Sequence, residues 1–206
     1  LGDGSAYATL WATGGIVLNA GMNADGLGIR MFNGSTLWSD ATGQFAGNAA
    51  VWAEGATGND GAIQMISEGD IVLNGVVKAT DDGADVSLTS RSQLKLEGRV
   101  FADDTLSIKG GIHQSGNAIW VTALVTENGQ RVSGGSLETA AGGQILALAT
   151  DSIRVDGVVG TTEGTQDNVY TFGQGIVGLI RLESTDRDVQ VSRNINVRDS
   201  VQMYAD

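Results

Sequence analysis

The chain contains neither cysteine nor proline. Without cysteine there is no disulfide framework, no thiol nucleophile and no thiolate-held zinc. Without proline, collagen-like repeats and Pro-rich linkers are excluded, and every residue keeps a backbone donor for a sheet ladder. Histidine occurs once, as His113, too few for a His-rich metal site; in its setting GGIHQSG (110–116) it reads as a turn residue. Basic side chains are scarce, 12 Lys and Arg against 24 Asp and Glu, for a net charge of −12. Nucleic acid is a poor partner for such a chain, because phosphate binding needs a basic face. Anionic membrane surfaces are disfavoured on the same ground. No apolar run approaches the ~18 residues of a membrane-spanning helix. The opening residues LGDGSAYATL show no initiator methionine and neither the basic nor the apolar region of a signal peptide. The chain is therefore expected to be a piece of something longer.

Glycine is abundant, at 31 of 206 residues, about twice its usual ~7% share. Together with a hydrophobic fraction of 41%, this suits many tight turns joining short strands around a buried core. One pattern recurs six times: aliphatic, any, aliphatic, polar, small, any, aliphatic. The copies are IVLNAGM (16–22), IVLNGVV (71–77), LKLEGRV (94–100), LSIKGGI (106–112), IRVDGVV (153–159) and VQVSRNI (189–195). The first, third and seventh columns are aliphatic or Met throughout and share the parity that puts side chains on one face of a strand. The second column is mixed (Lys95, Ser107, Arg154, Gln190) and is expected to face outward. Glycine at the fifth column (Gly75, Gly98, Gly110, Gly157) argues for a bend.

The copies start 55, 23, 12, 47 and 36 residues apart, mostly near multiples of twelve, as a coil of two or three short strands would give. Fainter strands precede several copies, at 63–66, 86–88, 145–149 and 179–182. Loops of different length fall at 58–61, 81–85, 127–130 and 161–168. Helical periodicity is rare. A β-sandwich or up-and-down barrel is the rival reading and would be favoured by Asn-Gly turns between matched antiparallel runs. Asn-Gly occurs at 33–34, 74–75 and 128–129, and the one at 74–75 sits inside the repeating unit. The expected fold is all-β: one right-handed parallel β-helix (β-solenoid) over 1–206, with roughly eight or nine coils and variable corner loops. At ~4.8 Å per coil it would extend about 40 Å.

The segments LNG, LEG, IKG and VDG after paired alternating strands, carried mainly by 67–112, resemble the filamentous-haemagglutinin type of β-solenoid. They equally resemble the glycine- and Asp-rich repeats of giant bacterial surface proteins. The resemblance implies a non-catalytic stalk or adhesin segment, secreted or held at the bacterial cell surface. It carries no catalytic residues. Its partners would be further coils of the same polypeptide or a neighbouring subunit, stacked end to end, with surface glycans as possible ligands and no membrane insertion in this segment. Glycan binding by a module of this kind, or polysaccharide cleavage by a β-helix enzyme, are the alternatives.

Candidate sites are few. Asp81, Asp82, Asp85, Asp103 and Asp104 form an acidic corner in which a 23-residue shift places Asp81 over Asp104. Stacked carboxylates repel unless screened or bridged, and calcium favours flexible, oxygen-rich loops, so this corner is either a solvated acidic corner or the candidate calcium site; neither the nine-residue calcium repeat nor the EF-hand loop occurs. No other cofactor is expected. Neighbouring carboxylates such as Asp103 and Asp104 are also the candidates for acid and base work on a glycan. Trp11, Trp38, Trp52 and Trp120, with Tyr7 and Phe32, offer either a sugar-stacking platform or filling for wide corners of the core.

Overall fold

The computed structural model describes residues 9–12, 15–31, 36–39, 44–47, 50–53, 62–79, 83–123, 125–127, 130–140, 142–160, 178–192, 195 and 200–206. The alternating segments form short strands, and there is no helix among the described residues. Numbered along the chain, the strands fall into three parallel sheets. Sheet one holds β1 (Thr9–Ala12), β6 (Ala50–Ala53), β9 (Val76–Ala79), β12 (Arg99–Ala102), β17 (Ser136–Thr139) and β20 (Val158–Val159). Sheet two holds β2 (Ile16–Ala20), β7 (Ile63–Ser67), β10 (Val86–Ser90), β13 (Thr105–Gly110), β18 (Gln144–Ala149), β21 (Leu179–Ser184) and β23 (Ser200–Ala205). Sheet three holds β3 (Leu27–Met31), β8 (Asp70–Leu73), β11 (Leu94–Leu96), β14 (Asn117–Val121), β19 (Ser152–Val155) and β22 (Val189–Val191).

The chain visits the sheets in rotation, one, two, three and back to one, and each strand pairs in parallel with its counterparts one circuit earlier and later. A sandwich or meander, built on antiparallel neighbours, is incompatible with this pairing. The described strands complete six circuits and begin a seventh. The expectation was roughly eight or nine coils over 1–206. Several circuits are longer: two carry an antiparallel hairpin between sheets three and one, β4 (Thr36–Ser39) with β5 (Gln44–Gly47), and β15 (Val125–Glu127) with β16 (Gln130–Ser133). The second hairpin leaves the coil at Thr122 and returns at Gly135, whose N–H donates to the Thr122 carbonyl (2.9 Å). The Asn-Gly at 128–129 thus lies between antiparallel runs, but inside an insertion. The residues themselves are outside the described set.

The core is the set of inward columns. Ile71, Leu73, Leu94, Leu96, Ile153 and Val155 are all buried, as column parity requires. So are Val77, Val100 and Val159 of sheet one, and Ile63, Met65, Val86, Leu88, Leu106, Ile108, Ile145, Ile180 and Leu182 of sheet two. Leu18, Val189, Val191 and Ile195, in the outer circuits, are half-buried. Of the outward residues, Arg154 and Gln190 are exposed as expected, whereas Lys95 is half-buried. Met22 and Ile112 depart from the inward expectation, at 62% and 68% exposed.

That departure has a structural cause. Four copies of the pattern (from 71, 94, 153 and 189) lie in sheet three and turn directly toward sheet one. The copies from 16 and 106 lie in sheet two and run into a wider turn toward sheet three. At the tight bend Arg99, Ser136 and Val158 each donate their N–H to the glycine carbonyl one circuit back, on Gly75, Gly98 and Gly135 respectively (2.9, 3.0 and 3.1 Å). The carbonyls come so close that a Cβ on Gly98 would collide with Gly75, and one on Gly157 with Gly135. Glycine is required there for space.

Candidate functional site

The two wide turns are built alike, and their comparison defines the role of the sole histidine. IVLNAGMNADGLGIRM (16–31) and LSIKGGIHQSGNAIWV (106–121) align over their whole length, with glycines of positive φ at Gly26 (82°) and Gly116 (74°). The N–H of Gly26 donates to the Asn23 carbonyl and that of Gly116 to the His113 carbonyl (3.1 and 2.8 Å). After each turn the pairing slips by one residue, at Gly28 and at Ala118. In the first turn Asn23 Oδ1 accepts the N–H of Asp25 and of Leu27, both at 2.9 Å. In the second, His113 Nδ1 stands in its place and accepts the N–H of Ser115 (3.2 Å).

The His113 corner nevertheless contains the residue types of a nucleophilic site. Ser115 Oγ is 2.7 Å from His113 Nδ1, and Asp70 Oδ2 is 3.6 Å from His113 Nε2. With Nδ1 accepting, the neutral ring carries its proton on Nε2, toward Asp70. The surrounding bonds decide what the arrangement can do. Ser115 Oγ donates to His113 and accepts from Gln93 Nε2 (3.1 Å) and from the Asn117 N–H (3.4 Å). Ser115 Oγ is thus held between the His113 turn and Gln93 of the neighbouring circuit. The same groups bind successive circuits together. Asp70 Oδ1 accepts the Gln93 N–H (3.1 Å), Gln93 Nε2 reaches the Asn117 carbonyl (2.7 Å), and Asp151 Oδ2 accepts the His113 N–H (2.9 Å). Arg187 Nε closes the seam on Asp151 Oδ1 at 2.9 Å. His113 is a turn residue in a polar corner seam.

Of the acidic corner, Asp81 and Asp82 lie outside the described residues. Asp103 Oδ2 accepts the Gly83 N–H (2.9 Å) and Asp85 Oδ1 the Thr105 N–H (3.0 Å). Asp104 Oδ2 receives the Thr105 hydroxyl at 3.4 Å. Asp85 and Asp103 thus cap backbone donors of the stacked turns. The circuit offset here changes from 23 residues between β9 and β12 to 20 between β10 and β13. Asp104 accordingly donates its N–H to the Ala84 carbonyl (3.1 Å). Among the described residues no group of three or more His, Asp or Glu side chains is disposed to hold a metal ion.

Trp120 lies neither in a core corner nor on a free platform. On the outer face of sheet three it stands between Lys95 and Arg154, its partners in register on β11 and β19. The Lys95 ammonium sits 5.0 Å and the Arg154 guanidinium 5.4 Å from its ring centroid. This contact, with the Glu97 carboxylate 2.5 Å from Lys95 Nζ, is what half-buries Lys95. Two cations already occupy the ring. Its Nε1–H donates to Asp156 Oδ2 (3.0 Å), which also accepts Arg154 Nε (2.6 Å), while Asp156 Oδ1 accepts the Ser192 hydroxyl (2.7 Å). Burial alone would raise the Asp156 carboxyl. The hydrogen bonds from Ser192, Trp120 and Arg154, with the Arg154 charge, outweigh it and hold Asp156 below the usual carboxylate range. The side chains of Trp11, Trp38 and Trp52, and residues Tyr7 and Phe32, lie outside the described residues.

Sheet one contains a buried ion pair that sequence reading missed. Arg99 and Glu138, on adjacent strands β12 and β17, meet at 2.7 Å with side chains 6% and 1% exposed. The signal available was the sixth column of the pattern, where Arg99 stands against Val76 and Val158. No family model, curated protein or solved structure matches the chain.

Proposed function

We propose that this chain is a non-catalytic segment of right-handed parallel β-solenoid, serving as a stalk or adhesive shaft in a large secreted or cell-surface bacterial protein of the filamentous-haemagglutinin-like style. Right-handed winding follows the strong preference of connections between parallel strands of one sheet. Each circuit buries its aliphatic columns against its neighbours, so length can be added without a new core. The chemistry-bearing residues support the same reading: Ser115 beside His113 bonds to Gln93 and to its own turn, and Asp85 and Asp103 cap turns.

The observation that carries the reading is the stack itself, in which every circuit pairs in parallel with the next; β23 supplies its test. Among the described residues it pairs with β21 alone. Val201 and Met203, on the parity that Ile180 and Leu182 hold in the core, are 36% and 54% exposed. An unpaired strand edge beside an open apolar column is a template for another strand, and the fitting partner is a further coil or the end of a neighbouring subunit. The 1–206 chain should associate end to end in light scattering, or exchange its β23 amides faster than those of β10 and β13. Met203→Asp should reduce the association and leave central protection unchanged. A strict monomer whose β23 is as protected as the central coils would overturn the proposal.

A further inference from the structure

We infer that the outer face of sheet two carries a binding site for an anionic, carboxylate-bearing polysaccharide, centred on β18. The inference is independent of the shaft reading, since it concerns the side of the coil and holds for a segment of any length. Parity turns Ser107 and Lys109 of β13, Leu146 and Leu148 of β18, and Arg181 and Glu183 of β21 outward. The ladder register sets them side by side as two rows, Ser107–Leu146–Arg181 and Lys109–Leu148–Glu183. These six residues line an open depression of about 410 Å³. Along the depression the middle strand is apolar, with Leu148 40% exposed. The strands on either side supply a hydroxyl, an ammonium, a guanidinium and a carboxylate.

The charge on this face is opposite to that of the chain. Among the described outward positions of sheet two there are two cations, Lys109 and Arg181, and one carboxylate, Glu183. The whole chain has twice as many acidic as basic residues. Arg181 is engaged, with Glu183 Oε2 2.5 Å from its Nη2 and the Tyr204 ring 5.1 Å from its guanidinium. Lys109 makes no ion pair among the described residues and is exposed. An unpaired ammonium beside an apolar floor fits a ligand with both a negative group and C–H surface.

Other ligand classes fit less well. A peptide strand cannot add to the face of a sheet whose central backbone groups are already paired on both sides. A nucleic acid would need several free cations, and this face has one. A uronic-acid polymer meets each requirement: carboxylate to Lys109, ring C–H surface on Leu146 and Leu148, and hydroxyls to Ser107 and Glu183.

The test is isothermal titration of the 1–206 chain with oligogalacturonate at low salt, with neutral maltooligosaccharide as control. Oligogalacturonate should bind, weakening as salt rises, and maltooligosaccharide should bind at least roughly tenfold less tightly. Lys109→Glu and Leu148→Asp should each weaken oligogalacturonate binding roughly tenfold or more, whereas Gln190→Glu, on the outer face of sheet three, should leave it unchanged. Circular dichroism checks that each variant keeps the wild-type fold. The inference is overturned if oligogalacturonate fails to bind, if the neutral sugar binds as well, or if Lys109→Glu binds like wild type. It is also overturned if sedimentation shows a wild-type dimer that Lys109→Glu converts to monomer, for the face then belongs to a second copy.

Discussion

The bend from sheet three to sheet one and the wide turn from sheet two to sheet three begin from the same seven-residue pattern and end differently. At the bend the seventh residue re-enters the core, as Val77, Val100 and Val159. At the wide turn it leaves the core, as Met22 and Ile112. What separates them is the sixth position. It is Val76, Arg99 and Val158 at the bend, and Gly21 and Gly111 at the wide turn. A side chain there continues the alternation into β9, β12 or β20; at the wide turns Gly21 stands in open space, whereas a Cβ on Gly111 would collide with the Arg91 carbonyl. The difference teaches that alternation specifies a strand and its inward face, while single backbone positions specify which sheet comes next.

The largest effect is expected where the bend is most crowded. Gly98→Ala drives a Cβ into the Gly75 backbone, which cannot move without shifting the neighbouring circuit, and should cost more than about 3 kcal/mol in denaturant titration. Gly21→Ala, with open space around the new Cβ, should stay within about 0.5 kcal/mol of wild type. Equal losses would break the comparison.

The seventh position gives the next contrast. Val100→Ala should cost about 2 kcal/mol, through lost burial and a residual cavity. Ile112→Ala deletes more carbon but from an exposed site, and should cost less than about 0.5 kcal/mol. An Ile112 loss as large as that of Val100 would show that the wide turn packs against something else.

The smallest effect concerns the bend's acidic flank, Asp156, and is read as pH dependence. Its folded-state pKa is depressed by the bonds from Ser192, Trp120 and Arg154, against the opposing effect of burial. A depressed carboxyl contributes stability above its unfolded pKa, and that contribution is lost as pH falls through the folded value. The loss should therefore appear below about pH 4. Thermal unfolding between pH 6 and pH 3 should show a steeper acid decline for wild type than for Asp156→Asn. Parallel profiles would place the stabilisation elsewhere.

Much of the fold was legible before any coordinates. Inward columns from Ile71 to Val155 followed from parity alone, and the fainter strands at 63–66, 86–88, 145–149 and 179–182 all belong to sheet two. Circuits interrupted by insertions were harder to read. The hairpin between Thr122 and Gly135 parts Val121 from its corner glycine, so the fourth glycine of that stack went unrecognised. Cross-circuit partners were also hidden. Trp120 meets Lys95 and Arg154 because two circuits of unequal length bring 95, 120 and 154 into one row, and no local spacing encodes that. The 23-residue shift holds between β9 and β12 and becomes 20 between β10 and β13; Asp81, between them, lies outside the described residues. The alignment of 16–31 with 106–121, which explains His113 through Asn23, was present in the sequence and lay outside the seven-residue window.

Parallel pairing one circuit at a time also bears on how fast such a chain can find its structure. Along sheet two, partners are as near as Val86 and Leu106, 20 residues apart, and as far as Ile16 and Ile63, 47 apart. That separation is set by the circuit and not by the length of the stack. Each added coil therefore lowers the relative contact order, and loop closure differs by less than about 1 kcal/mol between the longest and the shortest circuit. Growth is then a succession of equivalent steps on a formed edge, and the slowest event is closure of the first pair of circuits. The hairpin-free stretch from β7 to β14, with its shortest loops, is the place for that nucleus.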